Sequence, residues 1–328
     1  MNVPQRVIRE NLMTLHAHLQ SKKHLARDDS DLSGVIAAIS VATKSIAGKV
    51  RRARIEDVLG DVGDVNVQGE EQQKLDVISN DLMMHCLGRC SSVAVCASEE
   101  EEHGVVFRPR GDGGEFCVLF DPLDGSSNID VAAGVGTIFS ILGNSADVDG
   151  EASLLQPGSR QLAAGYVLYG SSVLLVLTLG DGVDMYVLDP TLGEYVLVKE
   201  HLEIPASKKI YSLNEAYIED FPAGYQRYLD YAHKSDYASR YIGSMVADVH
   251  RTLLKGGVFL YPPTGKNPGG KLRLMYEANP MALLVEQAGG AAATGEQRIL
   301  DVVPREIHQR CPVILGSSNE VEHVTRHL

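Results

Sequence analysis

Two carboxylates three positions apart follow a short apolar run near the middle of the chain. The run 116–120 predicts a buried strand that ends at Asp121-Pro122, because proline has no N–H to give to a ladder. Asp124-Gly125 then predicts a turn, since glycine tolerates backbone conformations that other residues avoid. Carboxylate oxygens beside exposed backbone N–H groups suit a divalent cation next to a phosphate. An ordinary acidic turn after a core strand would give the same pattern, so this pair alone leaves both interpretations open.

A second group of carboxylates follows another apolar run, 92–97, which also predicts a strand. Glu99 and Glu100 come just past its end, the same place that the first carboxylate holds on its own strand. In open α/β sheets this edge is where ligands bind. Glu101 and Glu102 continue the acidic run and are predicted to form a solvated face, as most charge runs do.

A third acidic position, Asp76, stands near the start of the helical pattern 70–90. Carboxylates gathered this densely repel one another unless cations neutralise them. A site that holds a phosphate on two or three metal ions explains the set better than chance does.

Taken together, these stretches resemble class I fructose-1,6-bisphosphatase. The Asp-Pro-x-Asp-Gly-Ser/Thr core is shared more widely, with inositol monophosphatases and related lithium-sensitive phosphatases, and the longer string narrows the family. The resemblance runs from about residue 8 to the end of the chain and is weakest before residue 65. The stretches that carry it are Gly69-Glu70, Lys74-Leu75-Asp76, Ser98-Glu99-Glu100, Asp121-Pro122-Leu123-Asp124-Gly125-Ser126-Ser127-Asn128-Ile129-Asp130 and Gly136-Thr137-Ile138-Phe139.

The resemblance implies a metal-dependent phosphatase that removes the 1-phosphate of fructose 1,6-bisphosphate, in gluconeogenesis or Calvin-type sugar phosphate metabolism. Two or three Mg²⁺ ions, for which Mn²⁺ or Zn²⁺ can substitute, activate a water for in-line attack on phosphorus. Asp76 and Glu100 orient or deprotonate that water, and Glu70, where the family has Asp, helps to position it or the third metal. Glu277, a lone Glu before a helix cap, is assigned on the resemblance alone. The implied metal ligands are Asp76, Glu99, Glu100, Asp121, the Leu123 carbonyl, Asp124 and Glu277.

The positive charge that an anionic substrate needs is concentrated between residues 240 and 273. Lys271-Leu272-Arg273 alternates as a strand does, which predicts that both basic groups point one way. A solvated basic edge is the plainer alternative. The resemblance implies that Lys271 contacts the substrate, that Arg240 reaches into the site of a neighbouring subunit of a homotetramer, and that the serines bind phosphate and do not attack it. The implied substrate contacts are Gly125, Ser126, Ser127, Asn214, Tyr217, Arg240, Tyr241, Gly243, Ser244, Met245, Tyr261, Lys271 and Arg273.

Composition bounds the class of protein. The 328 residues include 44% hydrophobic residues, enough for a sizeable core. A formal net charge of −13 argues against nucleic acid and anionic membranes as partners. Five cysteines, an odd number with several in apolar runs, favour reduced core residues in a cytoplasmic protein. We find no apolar run that approaches a membrane span in length, and no signal-peptide pattern at the amino terminus.

The order of the elements predicts an α+β fold. Helical spacing over 5–25, 31–59 and 70–90 is followed by strands near 137–142, 162–169, 172–179, 183–188 and 195–199, with a mobile loop expected from Gly60 to Gly69. Strands without intervening helices predict a large, mostly antiparallel sheet, and the later alternation of strands and helices predicts a smaller mixed α/β layer. We expect a layered α-β-α-β-α sandwich, with residues 1–199 as a metal-binding domain and 200–328 as a sugar-phosphate-binding domain.

One regulatory site of the family departs from its pattern here. Vertebrate-type members bind AMP at a helix N-terminus that carries Thr-Gly-Glu-Leu-Thr, aided by a Lys-Tyr pair and an Arg. The corresponding segments are Asp29-Ser30-Asp31-Leu32-Ser33, Glu115-Phe116 and Leu142-Gly143. Asp29 and Asp31 repel a phosphate that a helix end would otherwise accept. We therefore expect weak or absent inhibition by AMP.

Other functions remain open at this point. A sister phosphatase acting on sedoheptulose 1,7-bisphosphate, or on both sugars, is the nearest alternative. An inositol monophosphatase is less favoured, because a monophosphate needs no second basic pocket. The non-enzyme alternative is a sugar-phosphate-binding regulator that has lost catalysis, against which stand carboxylates at all six metal positions. A metal-dependent assay of phosphate release separates these functions.

Overall fold

The centre of the molecule is an eight-stranded sheet built from the first half of the chain. The computed structural model describes residues 12–22, 32–65, 71–109, 112–144 and 150–328. The strands of this half are β1 (Asp61–Val65), β2 (Glu71–Gln73), β3 (Val93–Ser98), β4 (Val105–Val106), β5 (Phe116–Asp124), β6 (Val135–Gly143), β7 (Gln161–Tyr169), β8 (Val173–Thr178), β9 (Asp184–Asp189) and β10 (Glu194–Lys199). β1 and β2 form a separate pair, and the sheet has the order β10-β9-β8-β7-β6-β5-β3-β4. Only β3 and β5 pair in parallel within it, which confirms the prediction of a mostly antiparallel sheet.

Three helices lie against one face of this sheet: α1 (Leu15–Ser21), α2 (Leu32–Arg52) and α3 (Lys74–Gly88). α2 buries a stripe at helical spacing that includes Val35, Ile39 and Ile46. Contrary to the expectation that no segment approaches a membrane span, α2 is long and apolar enough to cross a membrane by length and composition, a test that the core helix of a soluble protein also passes. Its buried stripe packs with α3 and the sheet in one core, which accounts for its buried apolar residues, whereas Val41 is exposed.

The second half of the chain adds a five-stranded sheet and four helices. Its strands are β11 (Ile210–Ser212), β12 (Ala238–Ser239), β13 (Val258–Tyr261), β14 (Leu272–Arg273), β15 (Ala291–Ala293), β16 (Arg310–Cys311) and β17 (Val313–Gly316). Its helices are α4 (Ala223–Lys234), α5 (Met245–Lys255), α6 (Asn279–Gln287) and α7 (Ser318–Thr325). The sheet has the order β12-β11-β13-β17-β15, with parallel and antiparallel pairs, and β14 and β16 form a separate antiparallel pair. A mixed second sheet is what the sequence predicted.

Three cores show how the layers stack. The first holds α1, α2 and α3 on one face of the large sheet. In the second core, α5 and α6 lie between the two sheets, so that Ile138 of β6, Val249 of α5 and Leu315 of β17 share it. The third packs α4 and α7 on the far face of the small sheet. The resulting order is α-β-α-β-α, as expected.

The prediction that the central strand ends at Asp121-Pro122 is wrong, because β5 continues to Asp124. Its register with β6 shifts between Asp121 and Asp124. Pro122 lies within this shift, where the ladder needs no N–H from it, and its carbonyl accepts a hydrogen bond from Thr137. The irregularity therefore keeps both carboxylates within one strand, which is buried along its whole length.

Other boundaries also differ from the sequence prediction. α1 and α2 are shorter than the spacing indicated, since α2 ends at Arg52 and the turn after it includes Asp57 with a φ of 54°. Parts of the predicted first two helices fall on residues 1–11 and 23–31, outside the described residues. The expected loop 60–69 contains β1, and β2 occupies the first residues of the predicted helix 70–90. The two strands pair with each other, which removes part of the backbone from solvent.

Candidate active site

A cavity of about 520 Å³ lies where the ends of β3, β5 and α3 meet the second half of the chain. It gathers nearly all the residues that the sequence analysis selected. Those lining it are Asp76, Glu99, Glu100, Asp121, Leu123, Asp124, Gly125, Ser126, Ser127, Asn214, Tyr217, Tyr241, Gly243, Ser244, Met245, Tyr261, Lys271, Arg273 and Glu277. Gln73, Asp248, Phe259 and Leu272 line it as well and were not selected.

Three buried carboxylates come close together in the cavity. One oxygen each from Asp121, Asp124 and Glu277 can be chosen so that all lie within 4.8 Å of one another. The strand β5 supplies the two aspartates, and a wide π-helical turn, Leu274–Ala278, brings in Glu277 just before α6. Such turns are frequent at functional sites, because they redirect a side chain without ending the helix. The group has the size and the oxygen chemistry of a divalent-cation site.

Burial makes ionisation of these groups costly when no cation is nearby. It raises the pKa of Asp124 to about 6 and that of Glu277 to about 8. The pKa of Asp121 is raised well above its ordinary value by burial and then by the charge of Glu99. A bound cation reverses this balance, since its charge favours the ionised form of every carboxylate around it.

Arg273 supplies positive charge to the same group. Its guanidinium Nη2 lies 2.7 Å from Glu99 Oε1, and Nη1 lies 3.8 Å from Glu277 Oε2. Its backbone N–H also donates to Glu277 Oε2 at 2.6 Å. Lys271 lines the cavity too, but it is exposed whereas Arg273 is buried. The two basic residues thus have different surroundings, one among carboxylates and one at the solvent side.

A second acidic group forms at the start of α3. Asp76 lies in the first turn, and its carboxylate accepts the backbone N–H of Gln73 at 3.0 Å, which closes a capping box. Burial and the neighbouring charge of Glu100 raise the pKa of Asp76 to about 7. A hydrogen bond from Ser126 acts in the opposite direction. Asp76, Glu100 and Ser126 therefore lie together, although the chain separates them widely.

The acidic loop, residues 98–104, is more ordered than a solvated charge run. The prediction for Glu102 holds, since it is exposed, but the prediction for Glu101 is wrong. Glu101 is half-buried and its Oε1 accepts a hydrogen bond from Asn80 Nδ2 at 2.7 Å. Its carbonyl oxygen lies 3.0 Å from His308 Nε2. Because burial lowers the pKa of His308, the ring stays neutral while it contacts this loop.

The turn after β5 leaves little room for any side chain at its first residue. Gly125 has a φ of 76°, and a Cβ there would lie 2.8 Å from the Cβ of Ser244. Ser126 and Ser127 then begin a 3-10 helix, Ser126–Val131. Asp124 fixes the start of α5, because its Oδ2 accepts hydrogen bonds from Ser244 Oγ at 3.1 Å and Val246 N at 2.8 Å.

Asp248 is the acidic residue among the four lining residues that sequence reasoning missed. It is buried in α5, where it accepts hydrogen bonds from Ser212 Oγ at 2.7 Å and from the backbone N–H groups of Ile242 and Gly243 at 2.9 Å. It thereby fixes the turn whose residues 243–245 line the cavity. A hint was available, since an aspartate in the first turn after Gly243-Ser244 is well placed to accept backbone N–H groups.

Among the predicted residues that the structure describes, Arg240 is not brought into the cavity. It is exposed, and its Nη1 donates to the carbonyl of Ser239 at 2.7 Å. Glu70 lies outside the described residues, as do Asp29 and Asp31 of the expected AMP region. At the other end of the cavity, Asn214 caps the N–H of Ala216 with its Oδ1.

Comparison with known proteins gives matches over both halves of the chain. The model of the fructose-1,6-bisphosphatase N-terminal domain matches residues 13–200, and that of the C-terminal domain matches residues 204–328. The class 1 fructose-1,6-bisphosphatase of Chlorobium luteolum is 48% identical over 95% of this chain and 96% of its own, and that of Pelodictyon phaeoclathratiforme is 49% identical over the same shares. The crystal structure of the holo form of Leishmania major fructose-1,6-bisphosphatase superposes with a TM-score of 0.92 at 39% identity, covering 97% of this chain and 99% of its own.

Proposed function

The chain belongs to the fructose-1,6-bisphosphatase family, and from this we propose that it hydrolyses the 1-phosphate of fructose 1,6-bisphosphate to give fructose 6-phosphate and phosphate. The observation that carries the proposal is a cavity whose lining combines a group of carboxylates with a group of polar and basic side chains. Carboxylates line one end, and Asn214, Tyr217, Tyr241, Tyr261 and Lys271 supply polar and basic groups elsewhere. A bisphosphate needs both, since one phosphate meets the catalytic group while the other anchors the sugar.

The residues present fit a divalent cation. Three carboxylate oxygens meet within 4.8 Å, and all of the donors are the hard oxygens that Mg²⁺ prefers. When bound, Mg²⁺ neutralises phosphate charge and lowers the pKa of a water. Mn²⁺ and Zn²⁺ are the substitutes we expect. We assign the ligands of two or three ions to Asp76, Glu99, Glu100, Asp121, the Leu123 carbonyl, Asp124 and Glu277.

The residues of the chain itself then place the substrate and move a proton. The N–H groups of Gly125 and Ser126 bind oxygens of the 1-phosphate, a role that suits a half-buried turn whose first residue is left-handed. Asp76 and Glu100 orient or deprotonate the attacking water. Attack is in line with the ester oxygen, so Ser126 and Ser127 bind and form no covalent intermediate. Glu70 assists the water or a third ion.

The other end of the cavity holds the sugar and the 6-phosphate. Asn214, Tyr217, Tyr241 and Tyr261 bind the 6-phosphate, and the positively charged Lys271 pairs with the anionic substrate. Residues 243–245 contact the sugar. Arg273 contributes from among the carboxylates. Arg240 acts from a neighbouring subunit of a homotetramer, a role that its exposed position outside the cavity allows.

The same proposal includes the location of the enzyme, its pathway, its domains and its response to AMP. We place it in the cytoplasm, in gluconeogenesis or a Calvin-type pathway. Residues 1–199 form the metal-binding domain and 200–328 the sugar-phosphate domain, a division supported by separate family matches to residues 13–200 and 204–328. The altered residues of the AMP region leave the enzyme weakly sensitive or insensitive to AMP.

Phosphate release with Mg²⁺ tests the proposal directly. Fructose 1,6-bisphosphate is compared with sedoheptulose 1,7-bisphosphate and inositol 1-phosphate, each with and without a chelator. Chelator-sensitive release from the fructose ester supports the proposal, and equal release from the sedoheptulose ester assigns a dual specificity. No release from any ester with the metal varied would leave a sugar-phosphate-binding regulator as the function.

A further inference from the structure

The acidic loop is held at several points by residues that the proposed reaction does not use, and three of the contacts are hydrogen bonds of 3.0 Å or less. Asn80 donates to the Glu101 carboxylate at 2.7 Å, and His308 Nε2 lies 3.0 Å from the Glu101 carbonyl oxygen. Further along, the N–H of Gly104 donates to Glu151 Oε2 at 2.7 Å. Two of these three contacts converge on one residue, which is neither a proposed ligand nor solvent-exposed.

The elements that hold Glu101 are those that carry the other carboxylates. Asn80 lies in α3 one turn after Asp76. His308 stands just before β16, which pairs with β14 and so with Arg273, and β14 leads directly to the wide turn of Glu277. The acidic loop itself follows β3. Glu101 therefore connects the acidic loop to α3 through Asn80 and to the segment before β16 through His308.

The chemistry of the partners fixes the direction of both contacts. A carbonyl oxygen only accepts, so His308 Nε2 must carry the hydrogen. A carboxylate oxygen also accepts, so the Asn80 amide donates, and hydrogen bonds to carboxylates are among the stronger ones. Asn80 is buried with 6% of its surface exposed, where such a bond is poorly screened by water. The loop is thus held by bonds of defined polarity on two sides.

We propose that Glu101 is a positioning residue that sets the places of Glu99 and Glu100 for divalent cations through its contacts with Asn80 and His308. The inference rests on the metal roles proposed above. Glu100 is the neighbour of Glu101 in the chain, and rigid peptide units transmit a displacement of one to the other. Supporting residues of this kind typically change metal affinity more than they change the fold.

The test is calorimetric titration of Mn²⁺ into the full-length, metal-free protein in the absence of substrate. Glu101→Ala and His308→Leu are expected to weaken Mn²⁺ binding about 10-fold, since each removes one contact of the loop. Glu101→Gln and His308→Gln keep an acceptor and a donor at the same places and are expected to stay within about 3-fold of the parent protein. Glu102→Gln removes the same charge from the exposed neighbour and is the matched control. In the activity assay, saturating Mg²⁺ is expected to restore kcat to the Ala and Leu variants.

Three results would overturn the inference. If the Ala and Leu variants lose thermal stability but bind Mn²⁺ as the parent does, the contacts serve the fold alone. If Glu101→Gln weakens binding as much as Glu101→Ala, the residue acts by its charge and not by position. The proposed metal roles are judged separately with Asp121→Asn: if that change leaves Mn²⁺ binding unaltered, the metal assignment fails and this inference with it.

Discussion

The guanidinium of Arg273 lies 2.7 Å from Glu99 and 3.8 Å from Glu277, so that one buried arginine pairs with two of the proposed metal ligands. Both distances belong to side chains that are almost fully buried. In the protein without metal, this arginine supplies part of the positive charge that a cation supplies when bound. Its contribution to stability should therefore depend on whether metal is present.

Arg273→Met should destabilise the metal-free protein by about 3–5 kcal/mol, because it leaves two buried carboxylates without their partner. Mg²⁺ should recover part of this loss, since it binds the folded form only. Urea unfolding with and without Mg²⁺ measures both effects. Arg298→Met is the control, because Arg298 also pairs with two carboxylates but is half-exposed, and about 1 kcal/mol or less is expected there. Equal losses in the two variants would contradict the prediction.

Asp121→Asn should lower kcat by about 10³-fold or more, since it removes a charged ligand while keeping the shape of the side chain. The same change should raise the stability of the metal-free protein at pH 8. Burial raises the pKa of Asp121 well above its ordinary value, so the folded form is penalised once solvent pH favours ionisation. Phosphate release and thermal unfolding at pH 8 are the two measurements. Near-normal turnover by a folded variant would rule out the assigned role.

Gly125→Ala should lower the free energy of unfolding by more than the left-handed backbone conformation alone explains. Gly125 and Gly193 have similar φ values, 76° and 69°, but a Cβ at Gly125 meets Ser244 at 2.8 Å, whereas nothing lies within 4 Å at Gly193. Gly193→Ala should cost about 1 kcal/mol from the left-handed backbone. Gly125→Ala should destabilise the protein by more than Gly193→Ala does, because Ser244 must shift. It should also raise the KM for the substrate for the same reason. Identical unfolding curves for the two variants would show that the close approach is unimportant.

His250 should make the protein sensitive to mild acid. It is buried with Nδ1 2.7 Å from the Tyr166 hydroxyl, and burial lowers its pKa from 6.5 to about 4. The unfolded chain therefore takes up a proton below pH 6.5 while the folded form resists until about pH 4. Stability should fall by up to about 3 kcal/mol as pH drops through this window.

The control for this effect is a pair of substitutions. His250→Gln should flatten the dependence of unfolding free energy on pH between 6.5 and 4, because the titrating group is gone. His16→Gln, at an exposed position, should leave the slope unchanged. The prediction is wrong if the slope persists in His250→Gln.

AMP should inhibit the enzyme weakly or not at all. The prediction rests on the sequence resemblance, in which Asp29-Ser30-Asp31 and Glu115 replace the Thr-Gly-Glu and Lys of the vertebrate-type AMP site, and added negative charge disfavours a phosphate at a helix N-terminus. The measurement is initial rate against AMP at a fixed level of fructose 1,6-bisphosphate. Half-inhibition at low micromolar AMP would contradict it, and Asp29→Thr would then show whether the site nevertheless uses this position.

Much of the fold was predictable because its signals are local. Apolar runs gave the strands and their order in the chain, and carboxylates just past those runs marked one edge of the sheet. The end of β5 was misplaced because proline was treated as a barrier, whereas a register shift accommodates it. The exposure of Glu101 was misjudged because its partners, Asn80 and His308, lie 21 and more than 200 positions away in the chain.

Part of the site carried no local signal at all. Glu277 was selected from the family resemblance alone, since its place next to Asp121 arises from a wide turn that periodicity does not encode. Asp248 was missed because its role is to hold backbone N–H groups that become neighbours only in the folded chain. Pairings between distant segments are set by tertiary packing, which a single sequence does not display.

The layer of α5 and α6 between the two sheets has a mechanical consequence. Asp124, on the large sheet, bonds to the first turn of α5, and Glu277 stands at the entrance to α6. Sliding one sheet against the other would therefore change the spacing of carboxylates that must converge on one ion. By thermodynamic reciprocity, an effector that binds better to the displaced arrangement changes the affinity for the metal by some factor, and the metal changes the affinity for that effector by the same factor. A ligand that binds far from the cavity can thus change the turnover rate through metal binding, without touching the substrate.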